Sequence, residues 1–352
     1  MTLRVVIVED SIVIQKALAD LCSEDREIEI AGIADSGDSG VEKILHLRPD
    51  VVILDIGLPD MDGFDVVRHV MAKTPTPILI FTATLKPTWR RPAFDALSLG
   101  AIDVMLKPEG QELADPAWRH AFRTQLKLIA RAPVIPHVFP KIRRREVSQR
   151  GLAVRPSLLV VVGSAGSPRV VSAMLAELKP IFPLPIPVLV ALHLGRGMGS
   201  AFARHLSGVL GHPAVEAGGT LEVLRSGNIY VVPGRHHAEF AGSDTLRIFE
   251  DLPGARFAPS LDHLLQSVAG CYGHRAAAVI LSGMGEDGAE GMLAVRKANG
   301  RTLGQDEATS LVYGMPQVAA KIGALEAQDS PVGLGQTLLA WLKGPGTALR
   351  AP

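Results

Sequence analysis

Five short runs of β-branched and aliphatic residues punctuate the first 130 residues: Arg4–Val8, Ile28–Ile33, Val51–Leu54, Ile78–Thr82 and Ile102–Met105. Between them the apolar residues recur at helical spacing, over Ile12–Leu21, Gly40–Leu47, Phe64–Met71 and Phe94–Leu99, and a fifth such stretch runs from Pro116 to Ala130. Strand and helix in strict alternation imply crossovers rather than hairpins. The expected fold is therefore a doubly wound, five-stranded parallel sheet with helices on both faces.

The alternation stops after residue 130. Ala132–Arg150 holds three prolines and the basic run Lys141-Ile142-Arg143-Arg144-Arg145, and residues 131–152 read as a linker with a solvated charge run. A second α/β pattern fills residues 153–345. Its expected strands are Leu158–Val162, Val188–Leu192, Asn228–Val232 and Ala277–Leu281, and its helices Arg169–Leu178, Gly199–Val209, Leu261–Ala269 and Gly288–Ala298, with a weak one at Gln336–Leu342. A mostly parallel sheet follows again, and 352 residues suit two domains.

Composition removes several function classes. Lysine plus arginine equals aspartate plus glutamate, which argues against nucleic acid as a partner. Aromatic residues make up only 5%, too few for a base-stacking platform. Cys22 and Cys271 are far apart and read as buried thiols in a reduced cytoplasm. The first apolar run stops at Glu9 and Asp10, so no secretory signal opens the chain. The apolar stretch Ile181–Leu194 is broken by Pro183, Pro185 and Pro187 and falls short of the roughly 20 residues that span a bilayer. The expectation is a cytoplasmic protein without membrane insertion.

Chemistry-bearing residues sit where the strands end. Glu9 and Asp10 follow the first strand and Asp55 the third, Thr82 closes the fourth, and Lys107 follows the fifth. In an open parallel sheet the carboxyl ends of the strands share one crevice. Crowded carboxylates there repel one another unless a hard cation sits among them, and Mg²⁺ accepts a few carboxylates together with water and phosphate oxygens. Asp10 and Asp55 would supply carboxylates, Glu9 would act through water, and the Gly57 carbonyl could complete the shell. Asp55 is then a carboxylate nucleophile for a phosphoryl group, Lys107 neutralises the phosphoryl oxygens and Thr82 hydrogen-bonds them. The segments VEDS, VVILDIGLPDMDG, FTAT and GAIDVMLKP resemble the response-regulator receiver family over Leu3–Ala130. The resemblance implies Asp55 as the phosphorylated residue, Glu9 and Asp10 as metal-binding acids, Thr82 as the switch hydroxyl and Lys107 as the phosphate contact.

In the second domain VVGSAGSP joins a strand to a helix. Taken alone, such a turn serves as a nucleophile elbow, a phosphate cradle or a simple tight turn. His193 ends the strand VLVAL, and Asp287 lies in GMGEDG beyond AAAVILS. Ser164, His193 and Asp287 thus lie beyond three strand ends, and their roles would be nucleophile, base and orienting acid. The order Ser…His…Asp differs from that of the α/β-hydrolases. His236 and His237 are a second candidate base, and Ser167 offers a competing hydroxyl.

ILSGMGEDGAEGM, LGQDEATSLVYGMPQVAA, APSLDHLLQSVA and GNIYVVPGRHH resemble the catalytic domain of chemotaxis protein-glutamate methylesterases over Ser157–Gly323. The family's GASTGG-like loop and GMGNDG segment map its nucleophile, histidine and aspartate onto Ser164, His193 and Asp287, and an oxyanion-hole amide onto Met284. Val162 stands at the loop's first glycine position and Ser167 at its last, which raises the question of how tightly the strand turns. The resemblance implies a phosphorylation-controlled hydrolase of glutamate γ-methyl esters on a methylated chemoreceptor, possible deamidation of receptor glutamines, and a histidine kinase as phosphodonor. The alternative is a non-catalytic binding module with a drifted site.

Overall fold

The computed structural model describes residues 2–83, 93–108, 113–132 and 155–343. The chain divides into two compact units, residues 1–138 and 139–352. From residue 133 to 152 the expected linker, with its basic run, lies outside the described residues.

In the first unit the elements alternate as β1 (Leu3–Val8), α1 (Ile12–Ser23), β2 (Ile28–Ala34), α2 (Gly37–Leu47), β3 (Val51–Leu54), α3 (Gly63–Lys73), β4 (Ile78–Thr82), α4 (Asp95–Ser98), β5 (Asp103–Leu106) and α5 (Pro116–Ala130). Among the described residues the sheet has five strands in the order β2-β1-β3-β4-β5, all parallel. Every residue of β3 and β4 is buried. That is why these strands read as unbroken aliphatic runs: helices cover both faces of the sheet. From β1 the chain turns first to β2 on one side and later to β3 on the other, so the crevice at the switch opens beyond β1 and β3. The fold expected from the sequence is the fold observed, with β5 displaced by one residue.

The second unit runs β6 (Leu158–Gly163), α6 (Ser167–Ala176), β7 (Val188–Leu192), α7 (Met198–Leu210), β8 (Ala214–Glu216), β9 (Leu221–Val223), β10 (Ile229–Val231), β11 (His237–Phe240), β12 (Thr245–Phe249), α8 (Leu261–Tyr272), β13 (Ala276–Ile280), α9 (Ala289–Lys297), β14 (Arg301–Gln305), α10 (Met315–Lys321), β15 (Ala327–Asp329) and α11 (Pro331–Lys343). Its main sheet, in the order β15-β14-β13-β6-β7-β10-β8, is parallel throughout. The successors of β6 build outward on one side until β13 starts the other, which puts a second switch point between β6 and β13. A small antiparallel sheet, β11-β12-β9, was not expected from the sequence. Its strands and β8 and β15 are three to five residues long, too short to carry a readable period. The C-terminal helix is longer than expected, because Pro331 is tolerated in its first turn. Cys22 is buried as expected, but Cys271 on α8 is only partly so.

Helices α8 and α9 approach closely at Gly291. A Cβ there would lie 2.5 Å from Leu265 Cβ and 3.0 Å from the Asp262 backbone, and the Gly291 amide donates to Asp262 Oδ1 at 2.7 Å. Gly291→Ala should therefore destabilise the second unit by about 1–3 kcal/mol, the usual cost of overpacking. Chemical denaturation checks this, and an unchanged midpoint would contradict the contact.

Candidate functional site

The sheet edge of the first unit gathers the acidic residues. Backbone bonds Asp55 N to Val8 O (2.9 Å) and Lys107 N to Thr82 O (2.9 Å) carry the parallel ladder one step beyond the strands. Glu9, Asp55, Thr82 and Lys107 are all buried, while Asp10 is exposed. Lys107 Nζ lies 2.8 Å from Glu9 Oε1, 2.6 Å from Glu9 Oε2 and 2.6 Å from Asp55 Oδ2. Oxygens of Glu9, Asp10 and Asp55 come within 4.8 Å of one another. The Gly57 amide donates to Asp55 Oδ1 at 3.3 Å, which sets Gly57 beside them.

Two features show strain in this cluster. Burial pushes the Glu9 carboxyl above its ordinary value, and the Asp55 charge adds to it, outweighing the Lys107 ammonium. Thr82 Oγ1 is buried with no hydrogen-bond partner among the described residues. Three hard oxygen donors and an orphaned hydroxyl fit a divalent cation and a phosphoryl group together.

In the second unit the strand ends of β13, β6 and β7 lie side by side. Ser164 N donates to Ser282 O at 2.9 Å and His193 N to Gly163 O at 3.1 Å. These bonds place Ser164, His193 and the segment after β13 at one edge. His193 Nε2 lies 2.8 Å from Asp287 Oδ2, so Nδ1 is the nitrogen left to act as a base. The Asp287 carboxylate also accepts from the first amides of α8, Leu261 N at 3.0 Å and Asp262 N at 3.1 Å. Burial would raise its pKa. The His193 ring and the two amides outweigh burial and hold it below the ordinary carboxylate value, as a helix N-terminus does for an anion. Phe257, which is 45% exposed, stacks on the His193 ring at 5.1 Å with 21° between planes.

The departures in the serine loop have structural answers. Val162 is an interior strand residue, paired with Ile280 and Ala191, and the chain turns later, at Gly166 with φ +77°. Ser167 is fully buried; it donates to Ser282 O and accepts from Ser164 N, so it does not face the crevice. His236 pairs with Glu250 at 3.2 Å, and His237 Nδ1 accepts from Ser260 N at 3.1 Å; both histidines are engaged away from Ser164. The side chain of Met284 is 44% exposed. The Met284 and Ala165 amides have no hydrogen-bond partner among the described residues. Sequence reasoning did not single out Ala165, Phe257 or the α8 amides. The last were within reach, since Ser260 ahead of an apolar helix marks an N-terminus.

A parallel sheet bearing acids and a lysine at its carboxyl edge makes the first unit a signal receiver, and the response regulator receiver domain family matches residues 5–115. The CheB methylesterase family matches residues 159–338, and the chain belongs to that family. Two relatives from Anaeromyxobacter dehalogenans are named protein-glutamate methylesterase/protein-glutamine glutaminase 2 and 6. The first is 37% identical, covering 92% of each chain, and the second is 38% identical, covering 93% of this chain and 92% of its own. The crystal structure of the Thermotoga maritima CheB methylesterase catalytic domain aligns at 26% identity with a TM-score of 0.48, over 53% of this chain and 98% of that one. Among the described residues no helix is long and apolar enough to cross a membrane.

Because folding raises the Glu9 pKa, ionising Glu9 costs more in the folded receiver than in the unfolded chain, and stability falls as pH rises from the ordinary carboxyl value through the raised one. Without divalent cations, Glu9→Gln should therefore raise the receiver's thermal midpoint at pH 7. The gap should close as pH falls below the raised pKa. Calorimetry across that range tests it, and a variant less stable at pH 7 would refute it.

Proposed function

We propose that this protein is a phosphorylation-controlled protein-glutamate methylesterase, with a receiver in residues 1–130, a linker in 131–152 and a catalytic domain in 153–345. The observation that carries this reading is the His193–Asp287 pair, seated on the α8 amides at the strand end adjoining Ser164. The substrate is a glutamate γ-methyl ester on a methylated chemoreceptor, in keeping with the names of the relatives.

Ser164 Oγ attacks the ester carbonyl carbon and gives its proton to His193 Nδ1. Asp287 stabilises the imidazolium through Nε2. The oxyanion takes hydrogen bonds from the Met284 amide and from Ala165, the residue after the nucleophile. Collapse breaks the C–O bond to the methoxy group, which leaves as methanol with the proton from His193. Water, activated by the same histidine, then hydrolyses the acyl-serine to free Ser164 and the glutamate carboxylate. A glutamine side chain would follow the same path with ammonia as the leaving group.

In the receiver, Asp55 accepts a phosphoryl group from a histidine kinase. Glu9, Asp10, Asp55 and the Gly57 carbonyl would hold Mg²⁺, whose charge offsets that of the phosphoryl oxygens during transfer. Lys107, now shared between Glu9 and Asp55, turns to a phosphoryl oxygen, and the Thr82 hydroxyl gains its missing partner. The location proposed for the reaction is the cytoplasm.

Ser164→Ala should lower methanol release from methylated receptor membranes by about 10⁴-fold or more, with an unchanged circular dichroism spectrum. A folded variant that retains most of its activity would exclude Ser164. Acetyl phosphate with Mg²⁺ should label and stimulate the full-length protein but not Asp55→Asn. A labelled Asp55→Asn would exclude Asp55 as the acceptor.

A further inference from the structure

Ser167 is the fully buried hydroxyl nearest in sequence to Ser164, and nothing in the reaction uses it. It stands at the first position of α6, after Gly166, which has no side chain to cap the helix. Its Oγ donates to Ser282 O at 2.6 Å and accepts from Ser164 N at 3.1 Å, while Ser164 N also donates to Ser282 O at 2.9 Å. The single hydroxyl proton is thereby committed, and the rotor is fixed. Ser282 is itself immobilised: its amide donates to Gln305 Oε1 at 2.9 Å, its Oγ donates to Ala165 O at 2.8 Å, and Val312 N donates to that Oγ at 3.0 Å. Ser167 therefore ties the backbone of Ser164 to the segment that leads into Met284.

The hydroxyl also needs room. A Cβ at position 163 would lie 2.1 Å from Ser167 Oγ and 2.7 Å from Ser167 Cβ. Both belong to a packed interior, so neither can give way cheaply. The two positions share one slot of space, which Ser167 fills and Gly163 leaves open.

Building on the methylesterase reading, we infer that Ser167 is a positioning residue for Ser164, and that Gly163 is its required steric complement. By pinning the Ser164 amide, the Ser167 hydroxyl sets the angle at which the nucleophile meets His193 and the oxyanion amides. It does not touch substrate. Its removal should therefore act on the chemical step rather than on binding.

The experiment uses the full-length protein activated with acetyl phosphate, with methanol release from methylated receptor membranes as the rate. Ser167→Ala should lower kcat by about 10- to 100-fold, as small misplacements of a reacting group do, with KM held within about twofold and little change in thermal midpoint. Gly163→Ala should lower both the thermal midpoint and kcat. Adding Ser167→Gly to it should restore most of the midpoint while leaving kcat low. Such non-additivity is the signature of a shared space. A Ser167→Ala variant with wild-type kcat, or with its loss carried by KM, overturns the positioning role. Additive midpoint losses overturn the steric pairing. A wild-type protein that releases no methanol overturns the methylesterase reading and the positioning role with it, which differs from an active wild type whose Ser167 variants keep their rate.

Discussion

The amide bonds that extend each parallel ladder one residue past its strands are what the rest of the molecule's chemistry hangs on. Ser164 N to Ser282 O, His193 N to Gly163 O, Asp55 N to Val8 O and Lys107 N to Thr82 O all belong to this kind. Each lies at the carboxyl end of a strand whose register is fixed by close packing on both faces of the sheet, since a slip would displace every buried side chain from its place. The side chains that follow are thereby placed by the cores below them. The two sheet edges use the same device, once for carboxylates and once for a serine with its histidine.

Charge is handled differently at the two edges. In the receiver, the repulsion between Glu9 and Asp55 is met by one side-chain ammonium, Lys107. A side-chain charge can turn to a new anion, which suits the phosphoryl transfer proposed for this edge. In the second unit, the Asp287 charge is met by fixed backbone amides at the start of α8 and by His193. Fixed dipoles do not reorganise during a reaction, which suits the charge that the proposed mechanism places on the imidazole and removes again. The close packing at Gly291 holds those amides in place, so a residue remote from the serine supports its electrostatics.

Most of the receiver was legible in the sequence, because fully buried parallel strands appear as bare aliphatic runs and their helices are amphipathic. Asp55, Lys107 and Thr82 were found at strand ends for that reason. The core strands β6, β7, β10 and β13 were legible on the same grounds. The antiparallel sheet was not: Leu221–Val223 and its partners are short and partly exposed, and polar residues interrupt them. Ser164, His193 and Asp287 could be named because strand ends and motifs mark them. What Ser167 does was illegible, since a hydroxyl's role depends on which carbonyl it meets across 115 residues of chain. The stacking of Phe257 on His193 was hidden likewise, in a loop with no period of its own.

That stacking has a consequence for the order of events. Phe257 covers one face of the imidazole, and Asp287 holds its Nε2 edge. To exchange its two nitrogens the ring must both break that bond and turn against a flat neighbour. The histidine therefore offers a single nitrogen, Nδ1, for both halves of the proposed reaction. In that reaction, as proposed, methanol vacates the place that the hydrolytic water then takes. The two proposed half-reactions thus share one point in space, which the alcohol and the water occupy in turn.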